Sequence, residues 1–347
     1  MPGRDLVVIG GSAGSLAPLT MVVRTLPPSF RGCVLVVLHS SPDPPGNLRR
    51  ILERVSYLPV ADAKDEQEIE PGIFLARPDQ HLIVTPGRIR LTSGPKENGF
   101  RPAIDPLFRT AAKACGSRVI GVILSGALDD GVYGLREIKA RDGLTIVQDP
   151  VEADIPTMPL AALAHVDVDY VLPAAAIAPL LLRETVPRQG EPTMGEGTDN
   201  DPQLPGNKVD IARMNSELGP PSGLTCPDCG GALWQTQEGK LVRFQCHVGH
   251  HYSPESLATH QEEKVEQALW SAVRALEERA ELRRRMASQT EAVGLAAVAN
   301  SFSTQAREAE EQADQIRSVL ENSGGRASVP EPEAAELPTR RKRSRQR

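Results

Sequence analysis

The sequence predicts an α/β protein: a doubly wound parallel-sheet domain, then a small cysteine-bearing module and a helical hairpin. Three observations lead there. Residues 1–185 alternate short apolar runs with helical stretches, the pattern of strands covered by helices on both faces. Three of the five cysteines cluster late, at Cys226, Cys229 and Cys246. A long helical pattern follows Pro254.

In the first segment, Leu6–Ile9, Cys33–Leu38, Gly72–Ala76, His81–Val84, Ile89–Leu91, Arg118–Leu124 and Thr145–Gln148 read as strands. Their continuous apolar character fits strands buried on both faces. Leu16–Leu26 and Pro106–Cys115 read as helices, with Asp105 as the N-cap of the second. The pieces between 72 and 91, with turns at Pro78-Asp79 and Pro86-Gly87, predict an antiparallel edge addition.

Residues 186–222 are rich in Pro, Gly and acidic residues and poor in apolar ones, the composition of a flexible linker. The cysteine module occupies 223–253, with a hairpin through Leu233–Leu241. Residues 254–322 predict a helical hairpin turning near Gly294, with Leu257, Val265, Leu269, Val273 and Leu276 as its apolar stripe. Residues 323–347 read as a disordered tail ending in the basic run Arg340–Arg347. Such a run is ordinarily just solvated.

The 347 residues carry a formal net charge of −6, which gives no reason to expect nucleic-acid binding. No apolar run approaches the roughly 18 residues of a membrane span; Leu172–Leu182 is short and holds Pro173 and Pro179. The first residues lack signal-peptide anatomy. A cytoplasmic protein without membrane insertion is the expectation, and clustered cysteines there suit a metal better than disulfides.

Candidate chemistry begins at Gly10-Gly11-Ser12-Ala13-Gly14, directly after the first strand. A G-x-S-x-G turn presents a serine hydroxyl where a strand reverses into a helix. The backbone N–H groups beyond it point at a developing oxyanion. The competing reading, a nucleotide phosphate loop, needs glycines at different spacings: from Gly10, Ser12 and Ser15 fill those places. A serine nucleophile needs a base and an orienting acid. His39 ends the second apolar strand, and Asp129-Asp130-Gly131 follows the strand through Leu124. All three lie at the carboxyl ends of parallel strands, where sites form. His81 and His165 read as structural, Cys33 and Cys115 as core thiols, and Arg101 as either a substrate ligand or the partner of a surface carboxylate.

At these residues the sequence resembles the chemotaxis protein-glutamate methylesterases, the catalytic domain of CheB. The likeness covers about residues 4–183. It includes Val8–Gly14, Val36-Val37-Leu38-His39, Arg101–Asp105, Gly121–Gly126 with Asp130-Gly131, Val147-Gln148-Asp149 and Met158-Pro159. The resemblance implies Ser12 as nucleophile, His39 as general base and Asp130, rather than Asp129, as orienting acid. It implies hydrolysis of γ-glutamyl methyl esters on methylated chemoreceptors or related signalling proteins, often with deamidation of glutamines, and no catalytic cofactor. The family commonly has Ser-Thr-Gly at the nucleophile, Gly-Met-Gly before the acid and Met after the histidine. Here stand Ser12-Ala13-Gly14, Gly126-Ala127-Leu128 and Ser40, which bear on rate and substrate more than on reaction class. The family's phosphoacceptor receiver domain does not precede the domain in this sequence, so a stand-alone form is expected. A degenerate esterase acting as an adaptor through its C-terminal module is the alternative, and a general small-ester or amide hydrolase a third.

Cys226-Pro227-Asp228-Cys229-Gly230-Gly231 is a metal knuckle. Cys246 and His250 complete three thiolates and one imidazole, a closed tetrahedral set for structural zinc, with His247 and His251 as adjacent alternatives to His250. So small a module lacks the core to fold without such a staple. Zinc segments followed by helices also end some stand-alone relatives of the family, which implies a docking role.

Overall fold

The computed structural model describes residues 3–39, 47–185, 221–238 and 241–323. The predicted linker up to residue 220 and the basic tail lie outside them.

The chain runs β1 (Leu6–Gly11), α1 (Leu16–Thr25), β2 (Cys33–Leu38), α2 (Asn47–Val55), β3 (Val60–Asp62), β4 (Gln67–Glu68), β5 (Gly72–Leu75), β6 (His81–Thr85), β7 (Arg88–Thr92) and α3 (Ile104–Cys115). It continues through β8 (Val119–Ile123), α4 (Val132–Ala140), β9 (Leu144–Gln148), α5 (Thr157–His165), β10 (Tyr170–Leu172) and α6 (Ala174–Glu184). Seven strands form a parallel sheet in the order β10-β9-β8-β1-β2-β5-β3. β1 is central, with Leu6 opposite Cys33 on one side and Val119 on the other.

Alternate residues of each strand enter opposite cores, because side chains along a strand point to opposite faces. Leu6 and Val8 pack with Leu107 and Phe108 of α3, Leu135 of α4 and Met158 of α5. Val7 and Ile9 pack with Leu19 and Val22 of α1, Leu52 of α2 and Leu181 of α6. Connections on one side of β1 lead to β2 and on the other to β8, so the switch in winding lies at the carboxyl end of β1, where open α/β sheets form their crevice.

The edge prediction needs correction. β5 belongs to the parallel sheet, and β4, β7 and β6 form a separate antiparallel sheet. Gly72–Leu75 is buried along its whole length, as a strand covered on both faces requires. Only β6 and β7 meet as a hairpin, through Pro86-Gly87.

The cysteine module is a four-stranded antiparallel sheet of β11 (Pro221–Thr225), β12 (Ala232–Glu238), β13 (Leu241–Cys246) and β14 (His251–Tyr252). Its core is small: Cys226, Leu233, Phe244, Cys246, Tyr252 and Leu257. One compact unit spans Met1–His260, so the module joins the α/β domain instead of standing apart from it.

The second unit holds most of α7 (Pro254–Ala292) and α8 (Ala296–Ser323), joined at Gly294, whose φ of +81° suits a residue without a side chain. Its core comprises Leu269, Val273 and Leu276 of α7 with Ala313, Ile316 and Leu320 of α8. The predicted stripe was too long: Leu257 belongs to the module core, and Val265 is 60% exposed. No helix among the described residues is long and apolar enough to cross a membrane.

Candidate active site

Ser12 sits in the turn between β1 and α1, half-buried. Its N–H donates to Ser125 O (2.9 Å), and Ser15 Oγ donates to Ser12 O. Ser125 Oγ in turn donates to Ala13 O (2.9 Å), so the loops after β1 and β8 are tied together. A Cβ on Gly14, at φ +78°, would lie 2.6 Å from Ser125 Oγ, so no side chain fits there. A Cβ on Gly126 would lie 2.9 Å from Ser12 Cβ and 2.8 Å from Met158 Cε. Gly126 and Met158 therefore flank the serine. Leu128, in the same loop, has φ +61°, a left-handed geometry that costs a branched residue roughly 1–3 kcal/mol.

His39 follows β2 and donates its backbone N–H to Gly11 O (3.0 Å), which sets it beside the serine turn. Its imidazole Nε2 lies 2.8 Å from Asp130 Oδ2. The ring stacks on Phe100 with centroids 3.8 Å apart and planes inclined by 10°. Nδ1 is buried and has no partner among the described residues.

Asp130 is fully buried and accepts from His39, from Ile104 N (2.6 Å), from Asn98 Nδ2 (2.9 Å) and from Asp105 N (3.3 Å). Burial pushes its pKa up, but the bond to His39 and the donors around it outweigh burial and hold it below the ordinary carboxylate value. Asp129 points elsewhere: it accepts from Ser253 Oγ (2.7 Å) and Ser256 Oγ (3.2 Å). Of the two adjacent carboxylates, only Asp130 meets His39.

Asp105 is not the helix cap that the sequence suggested. α3 begins at Ile104, Ala103 occupies the cap position, and no side chain caps it. The Asp105 carboxylate instead turns inward, accepting from Gly134 N (2.7 Å) and Asn98 Nδ2 (3.2 Å). Burial and then the charge of Asp130 raise its pKa from 3.8 to about 7. An acid raised in the folded state loses stability as pH rises from its unfolded to its folded pKa, since the unfolded chain ionises first. An amide at this position cannot ionise but sets its NH2 group against one of the two donors, so the Tm of Asp105→Asn minus that of the wild type is expected to rise by several degrees from pH 4 to pH 8. Equal shifts at both pH values in thermal melts would contradict this.

Arg101 donates to Asp79 Oδ1 from Nε (2.8 Å) and Nη2 (2.6 Å), and to Gly94 O (2.7 Å). It is the partner of a surface carboxylate and a brace for its loop. His81 is buried, with Nε2 2.8 Å from Pro95 O and Nδ1 accepting from Ala103 N. Burial pushes the Cys33 thiol far up, as for an inert core residue. Sequence reasoning missed Asn98 and Phe100, which lie in a loop without periodicity.

In the module, ligand atoms of Cys226, Cys229, Cys246 and His250 all lie within 4.8 Å of one another. Cys229 Sγ is 3.7 Å from Cys246 Sγ, and His250 Nδ1 is 3.4 Å from Cys246 Sγ and 3.7 Å from Cys226 Sγ. With metal–sulfur bonds of about 2.3 Å, the edges of a tetrahedral thiolate site are about 3.8 Å, so this donor set fits zinc. Of the alternative ligands, His251 is buried with Nδ1 4.0 Å from Glu97, and His247 is not part of the four-residue cluster.

Comparison with known proteins follows the same boundaries. The family profile described as CheB methylesterase matches residues 7–181. A putative protein-glutamate methylesterase/protein-glutamine glutaminase of Leptospira interrogans is 38% identical over 181 residues, covering 52% of this chain and 94% of that protein. A protein-glutamate methylesterase/protein-glutamine glutaminase of Pyrococcus abyssi is 36% identical over 202 residues, covering 57% of this chain and 54% of that one. The chain thus spans about half the length of the Pyrococcus relative. Among solved structures, the CheB methylesterase catalytic domain of Thermotoga maritima aligns with TM-score 0.50 and 34% identity, covering 52% of this chain and 98% of that one. A serine turn, a histidine and an aspartate at three neighbouring strand ends of this sheet, inside a profile match that fills half the sequence, mean that the chain belongs to the CheB methylesterase family.

Proposed function

We propose that this chain is a serine esterase that hydrolyses γ-glutamyl methyl esters on chemoreceptors or related signalling proteins, and that it also deamidates glutamines there. Ser12 Oγ attacks the ester carbonyl carbon while His39 accepts its proton. The ester C–O bond of the tetrahedral intermediate then breaks, and methanol leaves with the proton that His39 returns. Water, activated by the same histidine, hydrolyses the acyl-enzyme and frees the γ-carboxylate. With a glutamine substrate the leaving group is ammonia. Ser12 N–H and Ser15 N–H are committed to Ser125 O and Ser12 O, which leaves the remaining N–H groups of the turn and of the first turn of α1 as the candidate oxyanion donors.

The observation that carries this reading is the His39–Asp130 pair. Because Nε2 bonds to Asp130, Nδ1 is the nitrogen left for the serine proton. In the serine-protease triad Nδ1 faces the acid and Nε2 the serine; the roles here are reversed. Asp130 holds the ring in the Nε2–H tautomer and stabilises the imidazolium that forms. Methanol release from a peptide bearing a glutamate γ-methyl ester tests the reading. Absence of turnover by the full chain on any such ester would reject it and favour the adaptor.

Structural zinc on Cys226, Cys229, Cys246 and His250 and a cytoplasmic location are part of the same proposal. A complete ligand set leaves no position for a reactive water, so the metal would supply folding energy and no chemistry. Metal analysis of reduced, freshly purified protein is expected to give about one zinc per chain. Cys226→Ser with Cys229→Ser is expected to abolish it. Metal-free wild-type protein would sink the zinc assignment.

A further inference from the structure

The loop Glu97–Phe100 lies between the candidate acid–base pair and the cysteine module. It is closed by Glu97 N→Phe100 O (3.2 Å) and Phe100 N→Glu97 O (2.9 Å), and Asn98 and Gly99 are left-handed at φ +51° and +79°. Towards the α/β domain, Asn98 Nδ2 donates to Asp130 Oδ1 (2.9 Å) and Asp105 Oδ2 (3.2 Å), while Phe100 carries the His39 ring. Towards the module, Asn98 N donates to His251 O (2.7 Å), and Asn98 Oδ1 accepts from Ser253 N (3.0 Å). The residue is 2% exposed. Its amide has two N–H donors and one acceptor oxygen; both donors go to carboxylates of the α/β domain and the oxygen goes to the module.

The neighbours tighten the same joint. Glu97 is buried and pairs with Arg109 of α3 (2.9 Å) and with Arg243 of β13 (3.4 Å). A Cβ on Gly99 would lie 1.8 Å from His260 Nε2, so the loop is packed against the start of α7. His251 and Ser253 flank Tyr252 directly after His250, a member of the metal-binding cluster, and His250 O accepts from Cys246 N (3.1 Å). The strand that grips Asn98 is thus anchored at the four-residue cluster.

We propose that the metal-loaded cysteine module is a positioning element of the esterase, acting on Asp130 and His39 through Asn98 and Phe100. The proposal rests on the esterase reading above. Asn98 touches neither substrate nor reacting atoms; it is a positioning residue. Without metal, residues 250–253 lose their anchor, and Asn98 loses the two module bonds that aim its amide at Asp130.

The test uses the full chain and a peptide glutamate γ-methyl ester. Asn98→Gly removes the side chain and keeps the left-handed backbone accessible. It is expected to lower kcat roughly tenfold with KM within about twofold, because it disturbs an acid–base pair and no substrate contact. Removing zinc from wild-type protein with a chelator is expected to lower kcat similarly, with recovery on adding zinc back. Chelation of the Asn98→Gly protein is expected to add little, since both act through one link and coupled sites are non-additive. Hydrogen exchange of residues 97–104 is expected to quicken on chelation, a readout independent of turnover. Wild-type kcat in Asn98→Gly, equal chelation losses in both proteins, or unchanged exchange at 97–104 would overturn the proposal. If Asn98→Gly fails to fold, the chelation and exchange arms on wild-type protein decide alone, and a protein that carries no metal overturns it outright. Ser12→Ala separates the two readings: an active Ser12→Ala protein removes the esterase reading and this proposal together. An inactive one beside a fully active Asn98→Gly removes only the proposal.

Discussion

Replacing Ser12 with alanine is expected to lower methanol release by about three orders of magnitude or more while leaving Tm unchanged. Loss of a nucleophile removes the covalent path, and what remains is catalysis by binding and oxyanion stabilisation alone. The turn itself does not depend on the hydroxyl. Its framework is the backbone bond from Ser12 N to Ser125 O, the contact from Ser15 Oγ to Ser12 O and the tight packing at Gly14. Alanine keeps all three. Paired measurements of turnover and thermal melting check the expectation, and near-normal turnover in a folded mutant would remove Ser12 from the mechanism.

The second large effect belongs to Asp130. Asp130→Asn is expected to cost about three to four orders of magnitude in kcat, as when an orienting acid loses its charge and the wrong tautomer is favoured. The geometry makes the substitution harsher than a charge change alone. Four groups donate to this carboxylate: His39, Ile104 N, Asn98 and Asp105 N. An amide offers one oxygen and sets N–H groups against donors. Asp129→Asn is the control. Ser253 and Ser256 both donate to a single oxygen of Asp129, which an amide oxygen replaces, so turnover should change by no more than about threefold. Burial also raises the pKa of Asp129 to about 6, so neutralising it costs little folding energy at pH 7 to 8. Equal kinetic effects at both positions would contradict the assignment of Asp130.

The parallel sheet and the strand-end residues were readable because they obey local rules. Apolar runs such as Val34–Val37 are buried on both faces, and a serine, a histidine and an aspartate each follow such a run. Residues that act through tertiary contact left no such signal. Asn98 looks like an ordinary loop residue; only the folded chain brings it against Asp130 and Ser253. Asp105 beside Pro106 has the local signature of a cap, but its carboxylate finds Gly134 and Asn98 across the domain. Gly72–Leu75 lies near a hairpin in sequence, yet its burial takes it into the main sheet. The knuckle spacing pointed to a four-residue cluster, whereas the module's attachment to the α/β domain through Arg243, His251 and Ser253 depends on contacts between distant segments.

The central position of β1 also sets a timetable for synthesis. β1 and β2, which pair from Leu6 opposite Cys33 to Gly11 opposite Leu38, are both made within the first 38 residues. Leu6 and Val8 must then wait for Val119 and Gly121 before the other edge of β1 is paired. Until β8 leaves the ribosome, an apolar strand edge stays open, the kind of surface that recruits chaperones or aggregates. Such long-range parallel pairing is also slow. The carboxylate that completes the candidate site comes just after β8, at Asp130, so the three residues are not all present until that point of the chain has been made. The candidate site therefore cannot be assembled before β8 is available to pair with β1.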